Sequence, residues 1–203
     1  KRVGDALRKE TRSRLLEAAE SEFAEKGYAG STVSRIAATA GVSVQTLYLA
    51  WGSKRELLRG YMEHALAGER DSPEDAAELF AGLQPDSVAA RLADLVTEIA
   101  HRAALGWHLY RDASAIDPEI AADWNELQLL RHRLLTRILS GIPASALRLG
   151  STPAAAVDTA WVITSPESYD LLVRRLGYDT GQFRDWMADV LGAAVLAPSR
   201  SDS

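Results

Sequence analysis

The polar side chains between Thr32 and Lys54 are of types that recognise rather than react. Gln45 carries an amide able to form two parallel hydrogen bonds, Thr32, Ser43, Thr46 and Tyr48 carry hydroxyls, and Lys54 carries an ammonium. Nothing in the chain offers a nucleophile with a matching base. It has no cysteine, no G-x-S-x-G, no P-loop and no dinucleotide-type glycine fingerprint, so no catalytic residue, metal site or cofactor is expected. The carboxylates lie mostly on charged helix faces.

Those polar residues need two short helices to hold them. Thr32 is a cap for the first, since its hydroxyl accepts from a free backbone N–H in the first turn. Val33, Ile36, Ala37 and Ala40 recur at three- and four-residue spacing and form one apolar stripe. Gly41 stops the helix, because glycine alone takes a positive φ without a Cβ clash. Val42 plugs the turn, Ser43 is the next cap, and Val44 to Leu49 is the second helix. Leu47 points back at the core and leaves Val44, Gln45, Thr46 and Tyr48 outside. Helix, glycine turn, short helix is the helix-turn-helix pattern, whose second helix enters the DNA major groove. There Gln45 can bond adenine bidentately, and Val44 and the Thr46 methyl can meet a thymine methyl.

Ile36-Ala37, Ala40-Gly41-Val42-Ser43, Thr46-Leu47-Tyr48, Trp51, Ser53-Lys54 and Leu57 stand at spacings that resemble the DNA-binding domain of TetR-type (tetracycline-repressor-like) transcriptional regulators. The resemblance starts in a helix from about Thr11 to Lys26 that ends at Gly27-Tyr28, and covers roughly the first third of the chain. Trp51 stands where the family usually has Phe, and Ala50 where it often has His or another polar residue. The resemblance implies an all-α fold with an N-terminal helix-turn-helix domain at residues 9–69. A helical ligand-binding and dimerisation domain is expected at 73–197. It also implies that Thr32, Ser43, Val44, Gln45, Thr46, Tyr48, Leu49 and Lys54 serve DNA binding. The Thr46 and Tyr48 hydroxyls and the Lys54 ammonium are expected on phosphates. Lys54 opens a helix, where its charge opposes the dipole and an anion would relieve it.

Charge agrees with that division. The whole chain carries −5, yet residues 1–60 hold 11 Lys+Arg against 7 Asp+Glu, a surplus of four, and residues 61–203 hold 12 against 21, a deficit of nine. A basic head on an acidic body suits a protein that touches phosphates with one end. Hydrophobic residues at 47% allow a sizeable core, and no run approaches the ~18 apolar residues of a membrane span. No leader-like segment opens the sequence as given, so a cytoplasmic protein is expected.

In chain order, residues 1–10 hold Lys1, Arg2, Arg8 and Lys9, with the first few expected as a mobile basic arm. The next helix has Leu15, Leu16, Ala19, Phe23 and Ala24 on its apolar side and Glu17, Glu20, Glu22 and Glu25 exposed. Ser53 and Glu56 form a capping box for a helix to about Leu66. Further helices are expected over residues 74–83, 87–104, 106–115, from Asp117 to Gly141, 154–164, 167–176 and 180–196, with a linker at 141–153. The segment from Val157 to Leu196 also resembles a C-terminal region found in some TetR-type regulators.

By the same resemblance, the body holds a small-molecule pocket between helices, and the chain forms a homodimer on double-stranded operator DNA. His101, Trp107, Tyr110 and Trp124 are the candidate pocket residues, with core packing as their alternative. Trp161 and Trp186 are candidate dimer contacts or core. A repressor released by a small molecule is the expected function; the alternative is a body that answers to a protein partner.

Overall fold

The structure, a computed structural model, describes residues 2–70, 72–148 and 150–197. Among them the chain folds into nine α-helices and two 3-10 turns, with no strand beyond one isolated bridge between Leu147 and Leu196. The helices are α1 (Arg2–Gly30), α2 (Val33–Thr39), α3 (Val44–Trp51), α4 (Lys54–Ala67), α5 (Pro85–Ser114), α6 (Pro118–Leu139), α7 (Pro153–Ile163), α8 (Pro166–Tyr169) and α9 (Thr180–Val195). A π-helical stretch, Asp170–Arg175, continues α8. The all-α expectation holds.

The chain divides into two compact units, Lys1–Leu66 with Leu105–Asn125, and Ala67–Ala104 with Glu126–Ser203. In the first, Leu15, Phe23, Ile36, Leu47, Leu57, Leu58 and Met62 are fully buried, and so is Ile120 from the start of α6. In the second, Phe80, Val88, Leu92, Leu135, Phe183, Met187 and Leu191 lie in one apolar cluster.

Several elements differ from their sequence expectation. Helix α1 begins at Arg2 rather than near Thr11, so Arg8 and Lys9 belong to a helix and not to a loose arm; Lys1 lies outside the described residues. Its buried side uses Ala18 where Ala24 was expected; Ala24 is exposed and Leu16 half-buried. Glu22 is buried, because Arg35 of α2 reaches its carboxylate at 3.1 Å. The two helices expected on either side of Leu105 are one helix, α5. Gly106 costs helix stability, but a Cβ there would lie 2.6 Å from Met62 Sδ, so close approach to α4 requires it. Residues 73–80 form a 3-10 turn capped by Ser72 and Asp75 in place of the longer expected helix.

Candidate nucleic-acid interface

The residues that frame α3 are set by local hydrogen bonds. Thr32 Oγ1 accepts from the Arg35 N–H at 3.3 Å and caps α2. Gly41 takes φ 67°, and the Val42 N–H then closes back on the Ala37 carbonyl at 3.0 Å. Ser43 Oγ accepts from the Thr46 N–H at 3.0 Å and pairs with the Thr46 hydroxyl at 2.9 Å. Leu47 is wholly buried, which fixes the rotation of α3. Gln45 is exposed, Tyr48 is 48% exposed and Leu49 82%, while Val44 and Thr46 are half-buried. Gly52 (φ 76°) ends the helix, and Ser53 Oγ accepts from the Glu56 N–H at 3.0 Å to start α4.

Lys54 is engaged within the protein. Its ammonium donates to the carbonyls of Tyr28 (2.8 Å) and Ser31 (2.9 Å) and sits 4.3 Å from the centre of the Tyr28 ring. Its charge meets the Tyr28 and Ser31 carbonyls at the corner that follows the break in α1 at Gly27 (φ 66°). Burial pushes its pKa below the ordinary lysine value. The Ser31 hydroxyl adds bonds to the Glu22 and Gly27 carbonyls, so the corner between α1 and α2 is closed from two directions.

Residues that the sequence reading passed over complete the frame. Arg12 of α1 lays its guanidinium over Trp51, 3.6 Å from the ring centre, and donates to the Ala50 carbonyl. The far edge of Trp51 fills the space above Gly60 of α4, where a Cβ would lie 2.0 Å from Cζ3. Arg55 makes a bidentate pair with buried Asp123 (Nε and Nη2, both 2.7 Å) and reaches Glu119 at 3.3 Å. The hydrogen bonds to Asp123 raise the Arg55 pKa further. The large aromatic in place of Phe, with a glycine nine residues on, was the one signal in the sequence.

The candidate pocket residues fall in both units. Trp107 and Trp124 meet edge to face at 5.5 Å in the first unit, where Tyr110 is 1% exposed and burial lifts its phenol pKa. His101 belongs to the second unit and lines an open groove of about 510 Å³ with Asp94, Thr97, Thr180 and Arg184; none of the other three shares it. Trp161 is half-buried, with Arg131 over its ring and His132 at its edge. Trp186 stacks on Phe183 at 6.1 Å. Among the described residues no group of three or more His, Cys, Asp or Glu could hold a metal ion, and no helix is long and apolar enough to cross a membrane.

The family model described as bacterial regulatory proteins, tetR family, matches residues 15–61, the segment that carries α2, α3 and their supports. That stretch is similar to the DNA-binding domain of TetR-family regulators. A curated relative, the HTH-type transcriptional repressor SCO4008 of Streptomyces coelicolor, is 43% identical over 53 residues. That match covers 26% of this chain and 28% of the relative, so the chain spans about a quarter of the curated protein it matches. Solved structures match nearly the whole chain in fold. Native NalD, described as the secondary repressor of the MexAB-OprM multidrug efflux pump in Pseudomonas aeruginosa, is 20% identical with TM-score 0.69, covering 93% of this chain and 98% of that one. A SmeT–triclosan complex is 20% identical with TM-score 0.69, covering 93% of each chain. A transcriptional regulator from Saccharomonospora viridis in complex with choline is 17% identical with TM-score 0.65, covering 93% and 98%.

Proposed function

We propose that this chain is a transcriptional repressor whose α3 reads double-stranded operator DNA and whose body binds a small-molecule effector that releases it. One observation carries the reading. Helix α3 is capped by Ser43 and anchored by Leu47, and it turns Gln45, Tyr48 and Leu49 outward. Residues 9–69 are the DNA-binding domain in this reading, and 73–197 bind the effector and a second copy of the chain. Thr32, Ser43, Val44 and Thr46 border the same face of the head. The exposed apolar side chains Val162, Leu171 and Leu176, beside half-buried Trp161 and Trp186, support a homodimer contact through the last helices. A two-fold dimer would set two recognition helices about one DNA turn apart on a pseudo-palindromic site. The protein works in the cytoplasm, where that DNA is.

Release requires the effector to bind the two states of the protein unequally. The ligands of two fold neighbours, triclosan and choline, are reasonable first probes. The test is a selection of duplexes from a random library by the purified protein, followed by anisotropy titration. Gln45→Ala should lower discrimination at one or two base pairs by about 1–3 kcal/mol and leave unselected duplexes bound as before. A wild-type protein that ignores all duplexes at low salt refutes the reading.

A further inference from the structure

The far end of the recognition helix carries a grip that base reading alone does not account for. The last carbonyls of a helix have no partner within it and hold the negative end of its dipole. At α3 one of them, on Ala50, accepts from Arg12 of α1, and the same guanidinium lies flat on the neighbouring Trp51 ring. Trp51 is blocked on its other side by α4, since its six-membered ring occupies the space that a side chain at residue 60 would take. The start of α3 is set by the Ser43 cap and its end by this sandwich of Arg12, Trp51 and Gly60. Gln45 and Tyr48 stand between the two fixed ends.

We infer that Arg12 is a positioning residue for sequence reading: it fixes the height and tilt of α3 through Trp51 and Ala50. The inference rests on α3 being the base-reading helix. The role needs a plane as well as a charge. A guanidinium can stack on a ring and donate in its own plane at once, which a lysine ammonium cannot. An arginine that only touched a phosphate would instead be replaced well by lysine.

Arg12→Lys, Trp51→Leu and the double variant separate the two roles. Duplexes selected by the wild-type protein are compared with scrambled duplexes across a range of salt. Arg12→Lys should lose about tenfold in affinity for the selected duplex, within the span of one misplaced base contact. Its affinity for scrambled duplex and its salt slope should not change. Trp51→Leu should do the same, and the double variant should be no worse than either single one. Wild-type affinity in Arg12→Lys overturns the inference, as does an equal loss on both duplexes or additive losses in the double variant. Hydrogen exchange of the free protein gives a reading without DNA. Amides at the end of α3, Tyr48 to Gly52, should exchange faster in Arg12→Lys while α1 and α4 stay protected; unchanged exchange overturns it too. If the wild type binds no duplex, the proposed function fails while the exchange result stands on its own.

Discussion

Gly60→Ala tests the packing that seats Trp51, and two opposing effects decide its sign. Glycine inside a helix is about 0.8–1 kcal/mol worse than alanine, so in open space the change would stabilise α4. Here the new Cβ would fall 2.0 Å from Trp51 Cζ3, 2.3 Å from Cη2 and 3.0 Å from Cε3. Carbon atoms rest at about 3.5–4.0 Å, so the ring must retreat by roughly 1.5 Å. Arg12 lies on that ring and resists the retreat. Overpacking of this kind costs about 1–3 kcal/mol, and the depth of the overlap puts the cost at the upper end. The net loss should be about 2 kcal/mol, or a melting point lower by about 4–8 °C for a chain of this size. Thermal and urea unfolding followed by circular dichroism measure it. Trp51→Phe removes the ring atoms that clash. In that background Gly60→Ala should be neutral or stabilising by up to about 1 kcal/mol, a coupling of about 2–3 kcal/mol. A rise in melting point on Gly60→Ala with Trp51 intact would refute the reasoning.

Asp123→Asn should destabilise the head by about 2–3 kcal/mol. That is less than the ~3–5 of a fully buried pair, because Arg55 is 29% exposed and partly screened. Glu119→Gln, at an exposed carboxylate, should change the melt by less than about 0.5 kcal/mol; equal effects would contradict the bidentate role of Asp123. Lys54→Met takes its donor from the Ser31 carbonyl and leaves the Tyr28 carbonyl only the Ser31 N–H, and should cost about 1–3 kcal/mol. Its DNA salt slope should stay constant, and a fall of about 0.9 would restore a phosphate role to Lys54. Tyr61 and Tyr110 have phenol pKa values raised by burial, so the folded state keeps its protons where the unfolded chain loses them. Stability from these groups is complete below pH ~10 and falls as pH rises beyond it. Tyr110→Phe should make that alkaline decline shallower by about 0.8 kcal/mol per pH unit on average, measured by urea unfolding between pH ~9.5 and ~11.

What the sequence made legible is what neighbouring residues decide among themselves. The caps at Thr32 and Ser43, the stop at Gly41 and the inward Leu47 all depend on residues within one turn, and the structure has each in place. Gly106 misled because propensity marks a break, while the reason for the glycine is Met62 on another helix. The burial of Glu22 depends on Arg35, and the engagement of Lys54 on a corner 23–26 residues earlier. The Arg12–Trp51–Gly60 stack joins three helices at one point. No periodicity carries such information. Pocket residues are hard to read from sequence for a related reason. An aromatic on a helix face reads the same whether it lines a cavity or, like Tyr110, is packed within a core.

These engaged cations change how the basic head should be understood. Residues 1–60 carry a surplus of four positive charges. Yet Arg12, Lys54 and Arg55 donate hydrogen bonds inside the protein, and Arg35 pairs with Glu22. A charge keeps its long-range field when its donors are used locally, so the surplus still steers the head toward a polyanion. Direct phosphate contact then falls to other groups. The exposed cations of α1 (Arg8, Lys9, Arg14 and Lys26) and the hydroxyl of Tyr48 remain. Hydroxyl contacts bring no cation to a phosphate and add little to counterion release, which scales with phosphates neutralised by Lys or Arg at about 0.9 each. The salt slope per head should therefore correspond to no more than about four neutralised phosphates, a slope of about −3.6 or shallower. Arg14→Gln should flatten it, while Arg12→Lys and Lys54→Met leave it unchanged. A steeper slope that drops with Lys54→Met would mean that DNA pulls this ammonium out of its corner, and the internal frame described here would then belong to the free protein alone.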